Sequence, residues 1–266
     1  MSFFEITSAS NPKFKRWKKL LSSSQARRIE RAFIAEGAHA GFAALDSGTA
    51  PVCVITRKGE LGAEACTLLK SFSSTSVYRL DKKLYESIAP VPEGIGLMYE
   101  FNVPEEKELY PIRADAVYLD GVQDAGNAGT ILRTALAAGV TYAATSAGSV
   151  DLYSPKTLRA GMGAQFSLHI MQGIAPSELK SLFKARILCA EAKGGTSIYS
   201  DPAWAKGHTI WIFGSEGQGV SQAALSSSDQ IMYVPIDRRS ESLNVSAAAA
   251  VCLFEQCRLR NRGGAA

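Results

Sequence analysis

From residue 115 onward, apolar strand-like runs alternate with helix-like runs, and this alternation constrains the fold more tightly than any other property of the chain. Strand-like segments lie at 116–119, 142–145, 168–171, 187–190, 210–213 and 232–236. Helix-like segments lie at 127–138, 154–164, 176–185, after Gly219, and at 242–260. Runs such as Ile210-Trp211-Ile212 are apolar at every position, which suits strands covered on both faces. Strands separated by helices need crossover connections, so the pattern predicts an α/β domain with a mostly parallel sheet.

Ligands of such sheets bind outside the carboxyl ends of the strands, where loops expose backbone amides. Three polar clusters occupy those positions. The first, Asp120-Gly121-Val122-Gln123-Asp124-Ala125-Gly126-Asn127, leads into a helix that carries Arg133 and stops at Gly139. Asn127 is the expected N-cap of that helix, because its amide oxygen can accept from the free N–H groups of a first turn. Periodicity alone does not put Asn127 and Arg133 on one face, although a long side chain reaching back would bring both to one ligand. The second cluster, Gly214-Ser215-Glu216-Gly217-Gln218-Gly219, follows an apolar strand. A carboxylate among glycines gains nothing from packing, so Glu216 is a candidate to position Arg133 or Asn127. The third, Glu241-Ser242-Leu243-Asn244-Val245-Ser246, opens an alanine-rich helix that Ser242 and Asn244 are suited to cap.

The chain divides near 103–113, where Pro104 and Pro111 flank the acidic cluster Glu105-Glu106-Lys107-Glu108. Residues 1–102 mix helix-like stretches (14–22, 38–45, 61–71) with short strands (33–35, 52–56) and form a small α/β domain; 114–266 form the second domain. With 266 residues, 46% of them apolar and 20% charged, the chain buries a substantial core. The net charge of +4 is too small to specify a polyanionic partner, but its distribution is informative. Lys13, Lys15, Arg16, Lys18, Lys19, Arg27, Arg28 and Arg31 are opposed only by Glu30, while Trp17, Leu20 and Leu21 supply an apolar side. An ordered amphipathic basic helix of this kind is the usual footprint of a phosphate-backbone binder.

Cys53, Cys66, Cys189, Cys252 and Cys257 form no CxxC pattern and, with His39, His169 and His208, no zinc-ligand spacing. Buried reduced thiols and no bound metal are expected. Met1-Ser2-Phe3-Phe4-Glu5 reaches an acidic residue too soon for a secretory signal, and the apolar run 247–254 is too short to span a bilayer. A cytoplasmic protein with no membrane association is the expectation.

In order and spacing, the three clusters resemble the motifs of the SpoU (TrmH-like) RNA ribose methyltransferases of the SPOUT superfamily. That family's pattern is an Asn followed six residues later by an Arg, then Gly-x-Glu-Gly, then Pro-x(7)-Leu-Asn-Val-Ser. Here these are Asn127 and Arg133, Gly214-Ser215-Glu216-Gly217, and Pro235 through Leu243-Asn244-Val245-Ser246. The N-terminal part is similar as well, through Ile6-Thr7-Ser8-Ala9-Ser10-Asn11-Pro12-Lys13, Phe33-Ile34-Ala35-Glu36-Gly37 and Pro92-Glu93-Gly94-Ile95. The likeness therefore covers nearly the whole chain.

The resemblance implies a substrate-binding α/β/α sandwich at 1–102, a linker at 103–113, and a catalytic SPOUT domain at 114–266 whose C-terminal segment forms a deep trefoil knot. Ordinary connection rules would exclude that topology. It implies methyl transfer from S-adenosylmethionine to a ribose 2′-hydroxyl of structured RNA, with ribosomal RNA favoured over transfer RNA because of the N-terminal domain. Family members are homodimers that use no metal, and the apolar positions Ala247, Val251 and Phe254 are candidates for part of the interface. Catalytic roles carry over to Asn127, Arg133, Glu216, Ser242 and Asn244. Cofactor binding, largely through backbone groups, carries over to Gly214, Val234, Ile236 and Leu243. Gly161-Met162-Gly163 is not a dinucleotide fingerprint and reads as close helix packing. The chain departs from the pattern at Ala125, where proline is common, at Leu136, where aspartate is common, and at Arg238-Arg239, where glycine is frequent. Those arginines are candidates to narrow the cofactor pocket or to contact phosphate. A catalytically silent RNA-binding protein of this fold and a base-nitrogen methyltransferase are the alternatives.

Overall fold

The computed structural model describes residues 2–91, 94–105 and 110–261. Pro92-Glu93 and the linker residues Glu106, Lys107 and Glu108 lie outside the described residues. The chain separates into two compact units, one formed by Met1–Glu105 with Tyr153–Ser167, the other by Glu106–Leu152 with Leu168–Ala266.

In the first unit the element order is β1 (Phe3–Ile6), α1 (Pro12–Ser22), α2 (Ser24–Glu30), β2 (Ala32–Glu36), α3 (Ala38–Asp46), β3 (Cys53–Arg57), α4 (Ala63–Ser71), β4 (Ser76–Leu80), α5 (Lys82–Glu86) and β5 (Leu97–Asn102). The strands pair in the order β1-β4-β3-β5-β2, with the first three parallel and the last two pairings antiparallel. Alternate side chains leave the sheet on opposite sides. Ile34, Ile55 and Met98 pack with Phe14, Trp17 and Leu20 of α1, whereas Tyr99 meets Phe72, and Phe33 and Phe101 meet Phe166. Both faces are covered, as an α/β/α sandwich requires.

The basic segment is two helices and not one. Asn11 accepts from the Lys13 N–H and Pro12 occupies the first turn of α1; Ser23 then ends α1 and caps α2 by accepting from the Ala26 N–H. Two of its cations are structural. Arg27 is buried and donates to the Leu20 carbonyl, and Arg16 pairs with Glu30 and with the buried Glu100.

The second unit follows with β6 (Ala116–Asp120), α6 (Ala125–Ala137) and β7 (Tyr142–Thr145); α7 (Pro155–Gly161) belongs to the first unit. Then come β8 (His169–Gln172), α8 (Leu179–Leu182), β9 (Arg186–Ala190), β10 (Thr196–Ser197), β11 (Thr209–Gly214), α9 (Gln222–Ser227), β12 (Gln230–Tyr233) and α10 (Val245–Asn261). The seven strands run in the order β10-β12-β9-β11-β6-β7-β8, and every pairing is parallel. On one face Tyr118, Ile187, Ile210 and Ile212 pack with residues of α8 and α9. Helices α6 and α10 lie against each other, and α10 also contacts β11 and β9. Gln256 of α10 accepts from Thr209 Oγ1 at 2.7 Å and from Trp211 Nε1 at 2.8 Å, so two buried donors of β11 are satisfied by one amide.

Several expected boundaries move. The helix expected at 176–185 is a short 3₁₀ turn plus the four-residue α8, and the strand expected at 232–236 ends at Tyr233. The helix expected at 154–164 closes after about two turns because Met162 and Gly163 are both left-handed. A Cβ on Gly163 would lie 2.3 Å from the Ala43 Cβ, so this glycine serves close packing. Three cysteines are buried, but Cys66 is exposed and Cys257 half-buried, contrary to the expectation of uniform burial. No described helix is long and apolar enough to cross a membrane, and among the described residues no cluster of His, Cys, Asp and Glu is placed to hold a metal.

Glu36, at the end of β2, accepts from the Val91 N–H through one oxygen, while the other is buried without a hydrogen-bond partner. Burial pushes its carboxyl up to about 7, against an ordinary value of 4.5, with the Val91 bond and the Arg159 charge opposing. The folded chain holds this proton more tightly than the unfolded chain. Its stabilising contribution is complete below about 4.5 and is lost as pH rises through about 7. Glu36→Gln is therefore expected to flatten the fall in urea stability across that window. At pH 8 it should be more stable than wild type by about 1–2 kcal/mol, allowing for partial exposure.

Candidate active site

Parallel strands bring their carboxyl ends to one edge, and here β12, β9, β11 and β6 are consecutive neighbours. Their following loops carry all three polar clusters. The loop after β11 closes on itself through reciprocal Ser215 and Gly219 backbone bonds at 3.0 Å. A Cβ on Gly214 would lie 2.2 Å from the Gly219 carbonyl carbon and 2.3 Å from the Val220 nitrogen, so only glycine allows that closure. Two further carboxylates fix the loop from outside. Asp120, at the end of β6, accepts from the Ser221 N–H at 2.7 Å, and Glu191, just past β9, accepts from the Val220 N–H at 3.0 Å.

Asn127 joins the three clusters. Its Nδ2 donates to Glu216 Oε1 at 2.8 Å, and its Oδ1 accepts from Asn244 Nδ2 at 3.1 Å. A carboxylate only accepts, so Glu216 must take the amide's donor end, which leaves the oxygen for Asn244. The expectation that Asn127 caps α6 is corrected: Asp124 is the cap, accepting from the Asn127 N–H at 2.8 Å. Asn127 sits in the first turn with its side chain free to bridge. Asn244 serves twice, because its Oδ1 also accepts from the Ser246 N–H at 2.9 Å and so caps α10. Ser242 lies before that cap, with its carbonyl accepting from Ser240 Oγ at 3.1 Å.

A cavity of about 330 Å³ lies against these loops. Gly214, Val234, Ile236 and Leu243 all line it, as do Glu216 and Ser242; Asn127, Arg133 and Asn244 do not. Glu216 connects the cavity wall to the Asn127 bridge. Among the described residues the lining contains two carboxylates, Glu191 and Glu216, and no Lys, Arg or His side chain. Its chemistry suits a ligand of about nucleoside size with a cationic group. Cys252 also lines it, and burial pushes that thiol up to about 12, so the sulfur stays protonated.

Arg133 stays outside the bridge. It is exposed on α6 and makes no hydrogen bond or ion pair among the described residues. Arg239 is tied to Asp237 at 2.9 Å, and neither Arg238 nor Arg239 lines the cavity, so neither narrows it. Sequence reasoning missed Glu191. The signal was of the kind that marked Glu216, a carboxylate directly after a buried strand and shortly before paired glycines, Gly194-Gly195.

The sequence profile of the SpoU rRNA Methylase family matches residues 115–254. The chain is 30% identical over 252 residues to the 23S rRNA (guanosine(2553)-2′-O)-methyltransferase RlmP of Bacillus subtilis, covering 94% of this chain and 98% of that protein. It is 27% identical to a 23S rRNA (uridine(2479)-2′-O)-methyltransferase of Streptomyces viridochromogenes, covering 95% and 92%. Among solved structures, an RNA 2′-O ribose methyltransferase superposes with a TM-score of 0.78 at 25% identity, covering 97% of this chain and 100% of the other. The SpoU methyltransferase AviRb of Streptomyces viridochromogenes, crystallised with AdoMet, shares the fold with a TM-score of 0.82 at 23% identity, covering 95% and 100%.

Gly214→Ala is expected to lower stability by about 3 kcal/mol or more in urea titrations, because the clash is with backbone that has no room to move. Alanine at Gly217, which meets nothing within 4 Å, is the matched control and should cost under about 1 kcal/mol.

Proposed function

The chain belongs to the SpoU rRNA Methylase family, and from that premise we propose that it methylates a ribose 2′-hydroxyl of ribosomal RNA, using S-adenosylmethionine bound in the cavity beside Glu216. The observation that carries this reading is the Glu216–Asn127–Asn244 bridge, which fastens three loops together at a cavity with two carboxylates and no cation. The nearly full-length likeness to RlmP supports ribosomal RNA as the substrate class.

S-adenosylmethionine, when bound, supplies the methyl group on a sulfonium whose neutral thioether is a good leaving group. Backbone groups of Gly214, Val234, Ile236 and Leu243 would hold its adenosine part, and the Glu191 and Glu216 carboxylates would favour its positive charge. Asn127, fixed from both ends, offers a rigid wall against which the ribose is oriented in line. Arg133 is exposed and committed to no carboxylate, so its guanidinium is available to a substrate phosphate. A guanidinium offers donors and no acceptor, so the part given to Arg133 is to hold the phosphate and not to take the proton. The proton of the 2′-hydroxyl would pass to that phosphate or to water. Ser242 and Asn244 hold the entry to α10 in register with the bridge.

The finer architecture belongs to the same proposal. A domain of residues 1–102 grips the RNA and one of 114–266 transfers the methyl group, joined at 103–113, with the C-terminal segment threaded as a trefoil knot; Tyr153–Ser167 of the second domain packs with the first compact unit. The knot is supported by the route the chain takes from β12 across β9 and β11 to lay α10 on α6. Five free cysteines suit a reducing cytoplasm. A homodimer is supported by the stripe Ala247, Val251 and Phe254 on α10, where Phe254 is 51% exposed. Phe254→Glu is expected to convert a dimer into a monomer in multi-angle light scattering; a wild-type monomer would remove the dimer from the proposal.

The reaction is tested by mass spectrometry of nuclease-digested RNA from cells with and without the gene. Loss of one 2′-O-methyl nucleotide from ribosomal RNA, restored by wild type but not by Arg133→Ala, is the expected result. In vitro that variant should lose about 100-fold or more in rate while binding S-adenosylhomocysteine within about twofold of wild type. A base-methylated product, or loss confined to transfer RNA, would overturn the assignment.

A further inference from the structure

The five-stranded sheet of the first unit ends in β1, whose outer edge pairs with no strand among the described residues. Aromatic and cationic side chains meet on both sides of that edge. On one side Trp17, fully buried and donating through Nε1 to Glu100 at 2.7 Å, supports Tyr78 edge-on at 5.4 Å. Phe4 stacks on Tyr78 at 5.1 Å and is 46% exposed, and Lys13 Nζ lies 4.9 Å from the Tyr78 ring. On the other side Phe3 is 47% exposed beneath the Arg79 guanidinium, 4.1 Å from its ring. Phe3 and Arg79 border a cavity of about 240 Å³ together with Arg57 and Lys58. Glu5 enters the same cavity and partly neutralises Lys58 at 3.4 Å.

Two adjacent phenylalanines left half in water on an unpaired edge strand contribute little to the core, and edges are ordinarily protected by charge or by very short strands. Exposed rings on a rigid base, flanked by cations, are the chemistry that holds single-stranded nucleic acid. Bases stack on the rings in any sequence, and phosphates meet the charges. We propose that β1 and its flanking residues form a base-stacking edge that grips a single-stranded segment of the RNA substrate. Phe4 and Phe3 hold bases, while Lys13 and Arg79 hold the intervening phosphates. The inference rests on the reading that the chain acts on RNA.

The test uses the full chain and a fluorescein-labelled oligoadenylate of about twelve nucleotides, followed by fluorescence anisotropy. Phe4→Ala is expected to weaken binding about tenfold or more, with Phe4→Trp restoring it and the unfolding temperature unchanged. Lys13→Gln should reduce the slope of log affinity against log salt by about one. Failure of the wild type to bind, or equal affinity in Phe4→Ala, overturns the proposal. So does a Phe4→Ala variant that keeps its RNA affinity but changes from dimer to monomer, since the edge would then join two copies. Calorimetry with S-adenosylhomocysteine on the same proteins separates the two readings. No binding there in wild type counts against methyl transfer alone, whereas normal cofactor binding with unaltered RNA affinity in Phe4→Ala counts against the edge alone.

Discussion

The amide of Asn127 is the smallest group that can meet the demands placed on it. It must give a hydrogen to a carboxylate and receive one from another amide, in one plane and at once. Its two partners lie 89 and 117 residues away in the chain. Neither a hydroxyl nor a carboxylate at this position would satisfy both with the same rigidity. The bridge also depends on Asp124, which takes over the capping of α6 and leaves the Asn127 side chain uncommitted. Remove the amide and three loops lose their common member.

The sheet makes this economy possible. With every strand of the second unit parallel, the loops that follow β6, β9, β11 and β12 emerge along one edge whatever their separation in sequence. Asp120 and Glu191 then hold the Gly214–Gly219 turn from its two neighbouring strands. A carboxylate that accepts from a backbone N–H serves as a fixed post, and here such posts stand on both sides of the one turn that Gly214 allows to close. Rigidity of the cavity wall thus comes from strand order first and from side chains second.

What was legible in the sequence follows the same logic. Six strands of the second unit could be read because burial leaves apolar runs, whereas β10, two half-buried polar residues Thr196–Ser197, gave no such run. In the first unit β5 carries the buried Glu100, β4 alternates polar with apolar residues, and β1 exposes its phenylalanines, so none of the three announced itself. The four positions expected to hold the cofactor and Glu216 could be named because they belong to a family pattern, and the cavity lining includes each of them. The identity of the α6 cap could not, since Asp124 and Asn127 are both good capping residues and only tertiary contacts choose between them. Arg27 was counted among surface charges for a related reason. A long cation looks the same in sequence whether it ends in water or, as here, on the Leu20 carbonyl.

The absence of cationic side chains from the cavity lining bears on turnover as well as on binding. With S-adenosylmethionine placed in the cavity as proposed, methyl transfer would convert a cationic ligand into a neutral one, and the attraction of Glu191 and Glu216 would be strong before the reaction and much weaker after it. Uniformly tight binding would hold the product as firmly as the reactant and slow each cycle. Carboxylates placed where only charge distinguishes the two ligands discriminate in the useful direction. A thiolate beside the sulfonium would be a far stronger competitor for the methyl group than a carboxylate. Burial keeps the Cys252 thiol protonated with its value up to about 12, far from the thiolate that would take the methyl group for itself. The cavity is thus acidic at Glu191 and Glu216, while the one thiol that lines it is held in the neutral form.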